Sequence, residues 1–485
     1  MPGFMMPKSN DNKCMNSLFF FDDWLLHARE GLDRRQGRPQ YVKEVSVKFQ
    51  PDPDLKFIRG LYILYDDSRG HYTMVVDCFD QSDKRFHTRL ETDDLYNWPE
   101  QRWTAGNGPL WTRAANDVYL DQNNRPLTCF NIFSLAGTPL AEKGYVMTTY
   151  DYADKHRGNH TENVPSACVG FSQDGFHFTV DENNLWIQHH SDTGNPIVYN
   201  PWTAEYLIFC RPEQTDRRVC VVTTTDFKTY SPAVVVLQPD AEDPVCREFY
   251  GLGAVLYEDM FVGMLAIYDA EPTEKVHYKM EGTNEMQLAY SYNGHNWYRA
   301  FRETFIGRTE PGTLCGGSVY AGLLGRTLEN RLLFGVMGIW TDHGDDIKHC
   351  PEKWRKQGYC NHLYDMRLDG FAYLKTRAKY GLIRTKAVLP QGGDLTLNAL
   401  TTPSGHVKVA VLDSSFNPLP NYTLEDAIPI VGDELFGKVR WRERDNLDEL
   451  KDRPVILEVH VREGELYALR FPYRVLLGEY PHDRL

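Results

Sequence analysis

The stretch Ser291-Tyr-Asn-Gly-His-Asn-Trp297 combines a hydroxyl residue, an Asn-Gly pair and a trailing aromatic residue. An Asn-Gly or Asp-Gly pair favours a tight hairpin, and the aromatic side chain can pack back on the strands that it joins. The pattern recurs in weaker form in segments 91–98, 172–178, 224–230 and 367–371. Intervals of about 50 to 80 residues, enough for four strands with loops, separate the markers Asp94, Asp174, Asp226, Asn293 and Asp369. Five such units predict a five-bladed β-propeller.

Short apolar alternations dominate the rest of the chain, as in Gly60-Leu-Tyr-Ile-Leu-Tyr65, and a short helix is expected only at 351–357. Such alternation is typical of strands, so the fold class is predicted to be all-β. Beyond Gln391-Gly-Gly-Asp394, further short strands indicate a β-sandwich of jelly-roll type. We therefore expect a propeller domain over residues 1–385 and a structural sandwich domain over residues 386–485, which could also mediate contacts in a homo-oligomer.

The composition restricts the classes of partner. The chain has 485 residues and a formal net charge of −14, so its surface should repel nucleic-acid backbones. No polybasic run, signal peptide or transmembrane segment is recognisable, which predicts no membrane partner. The ten cysteines are scattered without a CxxC motif, as expected for reduced thiols in a cytoplasmic protein. Aromatic residues make up 13%, which suits either sugar stacking or the ordinary preference of aromatic residues for strands.

Several motifs are spread over nearly the whole chain. They are Leu18-Phe-Phe-Phe-Asp-Asp-Trp-Leu-Leu26, Glu30-Gly-Leu-Asp-Arg-Arg35, Asp243-Pro244, Glu248-Phe-Tyr-Gly251, Leu288-Ala-Tyr-Ser-Tyr-Asn-Gly-His-Asn-Trp297 and Leu395-Thr-Leu-Asn398. Together they resemble bacterial proteins that are similar to glycoside hydrolase family 32. The resemblance implies a five-bladed propeller followed by a β-sandwich, the architecture also associated with families 43, 68 and 130. The Trp-Met-Asn-Asp-Pro, Arg-Asp-Pro and Glu-Cys motifs of family 32 are not intact, because Glu242 precedes Asp243 and Phe249 follows Glu248. The β-fructoside substrate of that family therefore does not transfer to this chain.

Glycoside hydrolysis requires two carboxyl groups that flank the scissile bond. Glu248 is the predicted general acid, because it lies in an aromatic, glycine-containing stretch at the entry to a strand; the alternative is a surface ion pair with Arg247. By resemblance to propellers in which an N-terminal strand supplies the nucleophile or base, Asp22 or Asp23 is the second candidate; the alternative is a structural cap. Asp243 could orient substrate hydroxyls or tune Glu248, or belong to an ordinary turn.

Six further residues are predicted to bind substrate: Arg211, Asn116, Asp117, Asn195, His343 and Tyr250. Arginine forms bidentate hydrogen bonds with sugar hydroxyls, carboxylates or phosphate, and Arg217, Arg218 and Arg308 belong to the same cationic set. The asparagines and Asp117 could equally be turn residues. Segments 341–350 and 360–362 contain His, Cys and Asp, but their spacing matches no zinc motif. We expect a loop over the active-site mouth there, with no metal and no cofactor.

Three functions follow from these observations. The first is a glycoside hydrolase that is exo-acting on small oligosaccharides or glycosides and uses two carboxylates in the axial funnel of the propeller. The second is a glycoside phosphorylase on the same scaffold, and the third is a propeller that binds carbohydrate without catalysis. Strict dependence on inorganic phosphate would distinguish the second function, and sugar binding that survives an inert Glu248→Gln change would distinguish the third.

Overall fold

The computed structural model describes residues 14–45, 53–66, 70–82, 85–100, 118–124, 127, 129–149, 168–187, 189, 191, 193–212, 216–270, 282–310, 313, 315–340, 343 and 359–475. Over these residues the protein is all-β, as predicted, with two single-turn 3₁₀-helices, Ala141–Lys143 and Asp448–Leu450. Within the same ranges, no helix has the length and hydropathy that a membrane span requires. The helix predicted at 351–357 lies outside the described residues.

The strands follow one another closely along the chain. The first group comprises β1 (Cys14–Phe19), β2 (Leu26–Glu30), β3 (Leu32–Gln36), β4 (Gln40–Val45), β5 (Leu55–Asp66), β6 (His71–Asp80), β7 (Arg85–Thr92), β8 (Leu120–Asp121), β9 (Cys129–Ser134), β10 (Tyr145–Thr149), β11 (Cys168–Ser172), β12 (His177–Leu185), β13 (Ile197–Asn200), β14 (Glu205–Cys210), β15 (Val219–Thr224) and β16 (Val234–Leu237). The second group comprises β17 (Arg247–Tyr257), β18 (Met260–Ala270), β19 (Gly282–Ser291), β20 (Tyr298–Arg299), β21 (Ser318–Arg326), β22 (Arg331–Ile339), β23 (Tyr359–Arg367), β24 (Ala372–Thr376), β25 (Tyr380–Thr385), β26 (Val388–Pro390), β27 (Thr396–Leu412), β28 (Asp433–Lys438) and β29 (Ile456–Val475).

Contacts between residues divide the chain into two compact units. Unit 1 draws on Met1–Arg38, Tyr257–Met260 and Arg367–Leu485, and unit 2 draws on Pro39–Leu256 and Phe261–Met366. This grouping by contacts is not a test of the predicted domain boundary at residue 386, which stays a prediction. Each unit is described by itself.

Unit 1 is organised around the long strand β29, which pairs with β1, β24, β25, β26 and β27. The N-terminal strands β2 and β3 join the same sheet through β25 and β24. The sequence did not anticipate this long-range pairing of residues 14–36 with the C-terminal region. Its physical reason is burial, because Leu18, Phe20 and Leu32 are at most 1% exposed and join one apolar core with Leu457 and Val459.

Unit 2 contains four sheets among the described residues. They are β5–β6–β7, then β8–β12–β11–β10–β9, then β13–β14–β15–β16, and finally β17–β18–β19–β21–β22–β23–β4 with β20 on β19. In the last sheet, β19 and β21 meet through a single parallel pair, Asn284 and Ser318. That sheet therefore consists of two antiparallel groups, and β4 from the start of unit 2 completes the second group by pairing with β23.

Apolar cores lie between neighbouring sheets of unit 2. One core joins β6 to the β9–β12 sheet, the next joins that sheet to β13–β16, and a third joins β13–β16 to β17–β19. A further core joins β21–β23 to β5–β7. Each sheet thus buries an apolar face against the next one along the chain, which is how sheets that are too small to be stable alone are stabilised.

The repeated turn predicted from the sequence is confirmed in four segments. The side-chain oxygens of Asp94, Asp174, Asp226 and Asn293 accept hydrogen bonds from backbone amides two or three residues further on. The trailing aromatic residue then donates back to a carbonyl three residues earlier, at 2.8–2.9 Å, in Trp98, Tyr230 and Trp297. The Asx turn and this aromatic clamp explain the residue types of the pattern.

The fifth segment of the pattern differs from the others. Asp369 lies in unit 1 with a positive φ of 62°, and it is 1% exposed. Its carboxylate accepts two hydrogen bonds from the Arg470 guanidinium, at 2.6 and 2.7 Å. Tyr257 and Asn398 also donate to it, at 2.6 and 2.8 Å. This aspartate is therefore the centre of a buried polar network, which the sequence pattern did not predict.

Candidate functional site

The predicted acid, Glu248, is the second residue of β17 and is 4% exposed. Its Oε2 accepts a hydrogen bond of 2.7 Å from Nη1 of Arg217. The Phe249 amide donates to the Arg217 carbonyl at 2.9 Å, which fixes the backbone of Arg217 beside the strand. Arg247 instead pairs with Asp269, at 2.7 and 2.9 Å. The alternative interpretation, a surface ion pair between Glu248 and Arg247, is therefore wrong.

Aromatic rings surround this ion pair. The Arg217 guanidinium carbon lies 4.8 Å from the ring centroid of Tyr268 and 5.5 Å from that of Tyr250. The guanidinium carbon of Arg211 lies 4.5 Å from the Tyr250 ring, and its Nη2 donates to the Tyr250 carbonyl at 3.3 Å. Two arginines thus contact one tyrosine, and cation–π attraction contributes to this arrangement.

His343 completes the cluster. The Tyr250 hydroxyl and the His343 Nε2 lie 2.9 Å apart, within hydrogen-bond distance. The His343 ring packs 5.1 Å from both Tyr250 and Tyr268, and its backbone amide donates to the Gly282 carbonyl at 2.7 Å. We call Glu248, Arg217, Arg211, Tyr250, Tyr268 and His343 the Glu248 cluster.

A polar group that the sequence did not single out lies beside this cluster. Asn284 is fully buried, and its Nδ2 donates to the Tyr320 hydroxyl at 2.9 Å. The ring of Tyr320 lies 5.8 Å from that of Tyr250. Within the described residues, Oδ1 of Asn284 is buried and has no hydrogen-bond partner. No sequence signal singled out Asn284, because its strand also contains Thr283, Glu285 and Gln287.

Other predicted substrate-binding residues shape the backbone nearby. Asn195 is 2% exposed with a positive φ of 42°, and its side chain bonds with Ser191. The hydroxyl of Ser191 in turn accepts from the Arg211 amide at 3.0 Å. Asn195 therefore stabilises the turn that positions Arg211, which is a structural role. Asn116 and Asp117 lie outside the described residues.

Asp243 is bound in a separate arginine network. Nη1 and Nη2 of Arg299 donate to its two carboxylate oxygens at 2.7 and 2.6 Å, and its side chain is 1% exposed. Burial would raise the pKa of Asp243, but the hydrogen bonds from Arg299 and the Asp240 amide outweigh it, and the pKa is lowered. The geometry favours a structural turn over contact with substrate.

Asp22 and Asp23 lie in unit 1, between β1 and β2. The Oδ1 of Asp22 accepts from the Trp24 amide at 2.8 Å, as a strand cap would. Asp23 is half exposed and bonds with Arg29, at 3.0 and 3.2 Å, and with Arg34. Burial alone would raise the pKa of Asp23, but the hydrogen bonds and charges of Arg29 and Arg34 lower it overall. Their role as nucleophile or base stays a prediction.

The structure brings together Glu248, Arg211, Tyr250 and His343 from the predicted set. Among the other predicted cations, Arg217 joins the cluster, whereas Arg218 pairs with Asp216 and Arg308 with Glu285. The cluster offers a buried carboxylate, two guanidiniums, an imidazole and two tyrosines, and Tyr320 lies beside it. Such a set can bind several hydroxyls of a polar ring and place a carboxylate against it. Among the described residues, no group of three or more His, Cys, Asp or Glu side chains is arranged to hold a metal ion.

Comparison with known proteins gives a distant likeness to solved structures. No protein-family model and no curated protein matches the sequence. A fructofuranosidase from Schwanniomyces occidentalis, complexed with fructosylnystose, is 10% identical with a TM-score of 0.39, covering 90% of this chain and 98% of that one. An alpha-L-arabinofuranosidase from Podospora anserina, in complex with cellotriose, is 10% identical with a TM-score of 0.41, covering 69% and 98%.

A structure from the GH130 family of mannoside phosphorylases, which contains glycoside hydrolases that target β-1,2 mannosidic linkages in Candida mannan, is also similar. It is 11% identical with a TM-score of 0.42, covering 69% of this chain and 94% of that one. Identities and TM-scores at this level do not place the chain in a family.

Proposed function

We propose that the protein is a glycoside hydrolase in which Glu248 is one of two catalytic carboxyl groups. The observation that carries the proposal is the buried Glu248–Arg217 ion pair, 2.7 Å long, within a cluster of tyrosines, a histidine and a second arginine. A buried charge is costly to maintain, and such groups concentrate at functional sites. The resemblance of the sequence motifs to family 32-like proteins supports the same class of reaction.

The five-bladed propeller is part of this proposal. The strands of unit 2 form five groups in chain order, if the eight-stranded sheet is divided at its single parallel pair. Among the described registers, the pairings within these groups are antiparallel apart from the parallel pairing of β8 with β12. Apolar cores join four of the five neighbouring pairs of groups, and the fifth pair meets at β19 and β21. Together with the pairing of β4 with β23, they support a ring that closes on itself. In such a ring Glu248 lies on a first strand, which would face the axial funnel.

The proposal has three further parts: a second catalytic carboxyl group, an exo-acting mode of cleavage and a C-terminal jelly-roll sandwich. Asp22 or Asp23 is the proposed partner of Glu248, by resemblance to related propellers. The proposed cytoplasmic location is supported by the free thiols, since Cys78, Cys210 and Cys220 are buried and unbridged.

Phosphorolysis is the second candidate function. Two guanidiniums at one tyrosine ring are a suitable site for an oxyanion, because arginine binds phosphate in a planar, bidentate manner. In that reaction phosphate attacks the anomeric carbon in place of water, and the product is a sugar phosphate. Dependence of turnover on inorganic phosphate separates this reaction from hydrolysis.

The test is release of sugar from a panel of nitrophenyl furanosides, nitrophenyl pyranosides and short fructans, with and without phosphate. Glu248→Gln keeps the shape of the side chain and removes its charge, so it should abolish turnover. Glu329→Gln, at an exposed site, is the matched control and should leave turnover unchanged. Sugar binding without turnover, unaffected by Glu248→Gln, would instead indicate a non-catalytic binding protein.

A further inference from the structure

A second group of polar side chains lies on one face of unit 1, on the adjacent strands β25, β29 and β27. Tyr380, Arg462 and His406 stand directly opposite one another across these strands. Two residues along, His460 stands opposite Lys408. Residues opposite each other, and residues two apart in one strand, share a face of the sheet. With Glu30 they line a cavity of about 420 Å³, which we call the basic pocket.

The two fixed cations of the pocket, Lys408 and Arg462, are diagonal neighbours across β27 and β29. In these two strands the residues directly opposite them are His460 and His406, so neither cation faces a carboxylate there. Two of these groups have partners, because His460 bonds with Glu458 at 2.7 Å and Lys408 donates to the Leu424 carbonyl at 3.2 Å.

Arg462 indicates that a ligand of this pocket would carry a negative charge. In the part of the chain that the structure describes, its Nε is buried without a hydrogen-bond partner. A buried donor of this kind costs free energy unless an acceptor reaches it. An anion in the pocket would supply an acceptor and would lie close to both Lys408 and Arg462.

The charge balance favours a single negative charge. Burial, together with Arg462 and Lys408, lowers the pKa of His406, so this imidazole is neutral at neutral pH. Two fixed cations, Lys408 and Arg462, then face the carboxylate of Glu30. The nearby carboxylate of Glu458 is already paired with Arg384 and His460. The excess of one positive charge suits a carboxylate better than a phosphate dianion.

An aromatic platform stands beside the cations. Tyr380 is 61% exposed, and the Arg462 guanidinium carbon lies 5.4 Å from its ring centroid. An exposed tyrosine ring can stack on the apolar face of a sugar ring while its hydroxyl stays in water. The pocket thus offers one surface for a ring and another for a carboxylate.

We propose that the basic pocket binds a sugar that carries one carboxylate, that is, a uronic acid residue. The site is built entirely from unit 1 and does not depend on the proposed reaction at Glu248.

The test is ligand-observed NMR titration of the full chain with glucuronate and galacturonate, and with glucose and galactose as neutral counterparts. The uronates should bind at least about tenfold more tightly, as expected for one hydrogen bond to a charged group. Lys408→Gln and Tyr380→Ala should each weaken uronate binding by about tenfold or more. Lys451→Gln, which removes an exposed cation elsewhere in unit 1, is the matched control and should have no effect.

Three results would overturn the proposal. Equal affinity for neutral sugars would show that the cations do not select the ligand. Inorganic phosphate that binds as tightly as the uronates, with no effect of Tyr380→Ala, would show a plain anion site. Uronate binding that disappears in Glu248→Gln but persists in Lys408→Gln would place the sugar at the Glu248 cluster instead. Unchanged circular dichroism of each variant shows that it has folded.

Discussion

Arg217→Met removes the guanidinium that donates to Glu248 while keeping a long side chain in its place. The Glu248 side chain is 5% exposed and that of Arg217 is 14% exposed, so the carboxylate left behind cannot be solvated fully. Breaking a buried pair by removing one partner costs about 3–5 kcal/mol of the free energy of unfolding. We expect a loss of that size in unit 2.

Adding Glu248→Gln to Arg217→Met removes the buried charge that has lost its Arg217 partner. The double variant should therefore regain about 2 kcal/mol relative to Arg217→Met, which is within the range of coupling energies for residues in contact. The chain offers a matched control in the adjacent residue, because Arg218 pairs with Asp216 at 2.6 Å but both side chains are about one-third exposed. Arg218→Met should cost about 0–1 kcal/mol, as exposed pairs do.

Urea unfolding, followed by far-UV circular dichroism, measures these differences as shifts of the midpoint at constant slope. Equal destabilisation by Arg217→Met and Arg218→Met would refute the argument that burial makes the first pair costly to break. A double variant no more stable than Arg217→Met would refute this buried charge as the cause.

Three further predictions follow from the described contacts. Asp369→Asn should destabilise unit 1 by about 3–5 kcal/mol, because it breaks the buried bidentate pair with Arg470, and calorimetry would show a lower melting temperature. The free energy of unfolding should fall as the pH drops below about 4, because the pKa of Asp243 is lower in the folded protein than in the unfolded chain. The contribution of Asp243 to stability is complete above its unfolded pKa. It is lost as the pH falls through its folded pKa. The urea midpoint at a series of pH values measures this, and a flat profile would contradict it. Gly251→Ala should reduce sugar turnover and stability, because the added methyl group would lie 2.5 Å from Oγ1 of Thr193; the same change should be tolerated when that threonine is replaced by glycine.

The sequence predicted the parts of the structure that depend on neighbouring residues. The turns at Asp94, Asp174, Asp226 and Asn293 follow from local hydrogen bonds between a side chain and the next amides, and the alternating strands follow from the period of the pleat. The same reasoning predicted that Glu248 lies at the start of a strand, two residues from Tyr250.

The parts that were missed depend on distant residues. Adjacent residues of a strand point to opposite faces, so Arg247 could not pair with Glu248 once both lay in β17; the partner, Arg217, precedes β15 and is fixed by tertiary pairing. Asp369 matched the turn pattern, but its environment is set by Arg470, about a hundred residues away in sequence. Pairing of the N-terminal strands with β29 has the same non-local origin.

The rate of sugar release by Glu248→Ala, measured with and without sodium azide on a glycoside that the wild-type protein cleaves, tests the central claim most directly. A small anion can enter the space left by a catalytic carboxylate. The account predicts that the variant is slower by about 100-fold to 10,000-fold without azide and that azide restores part of the rate. A wild-type rate in the variant, unchanged by azide, would contradict the assignment of Glu248 as a catalytic carboxyl group.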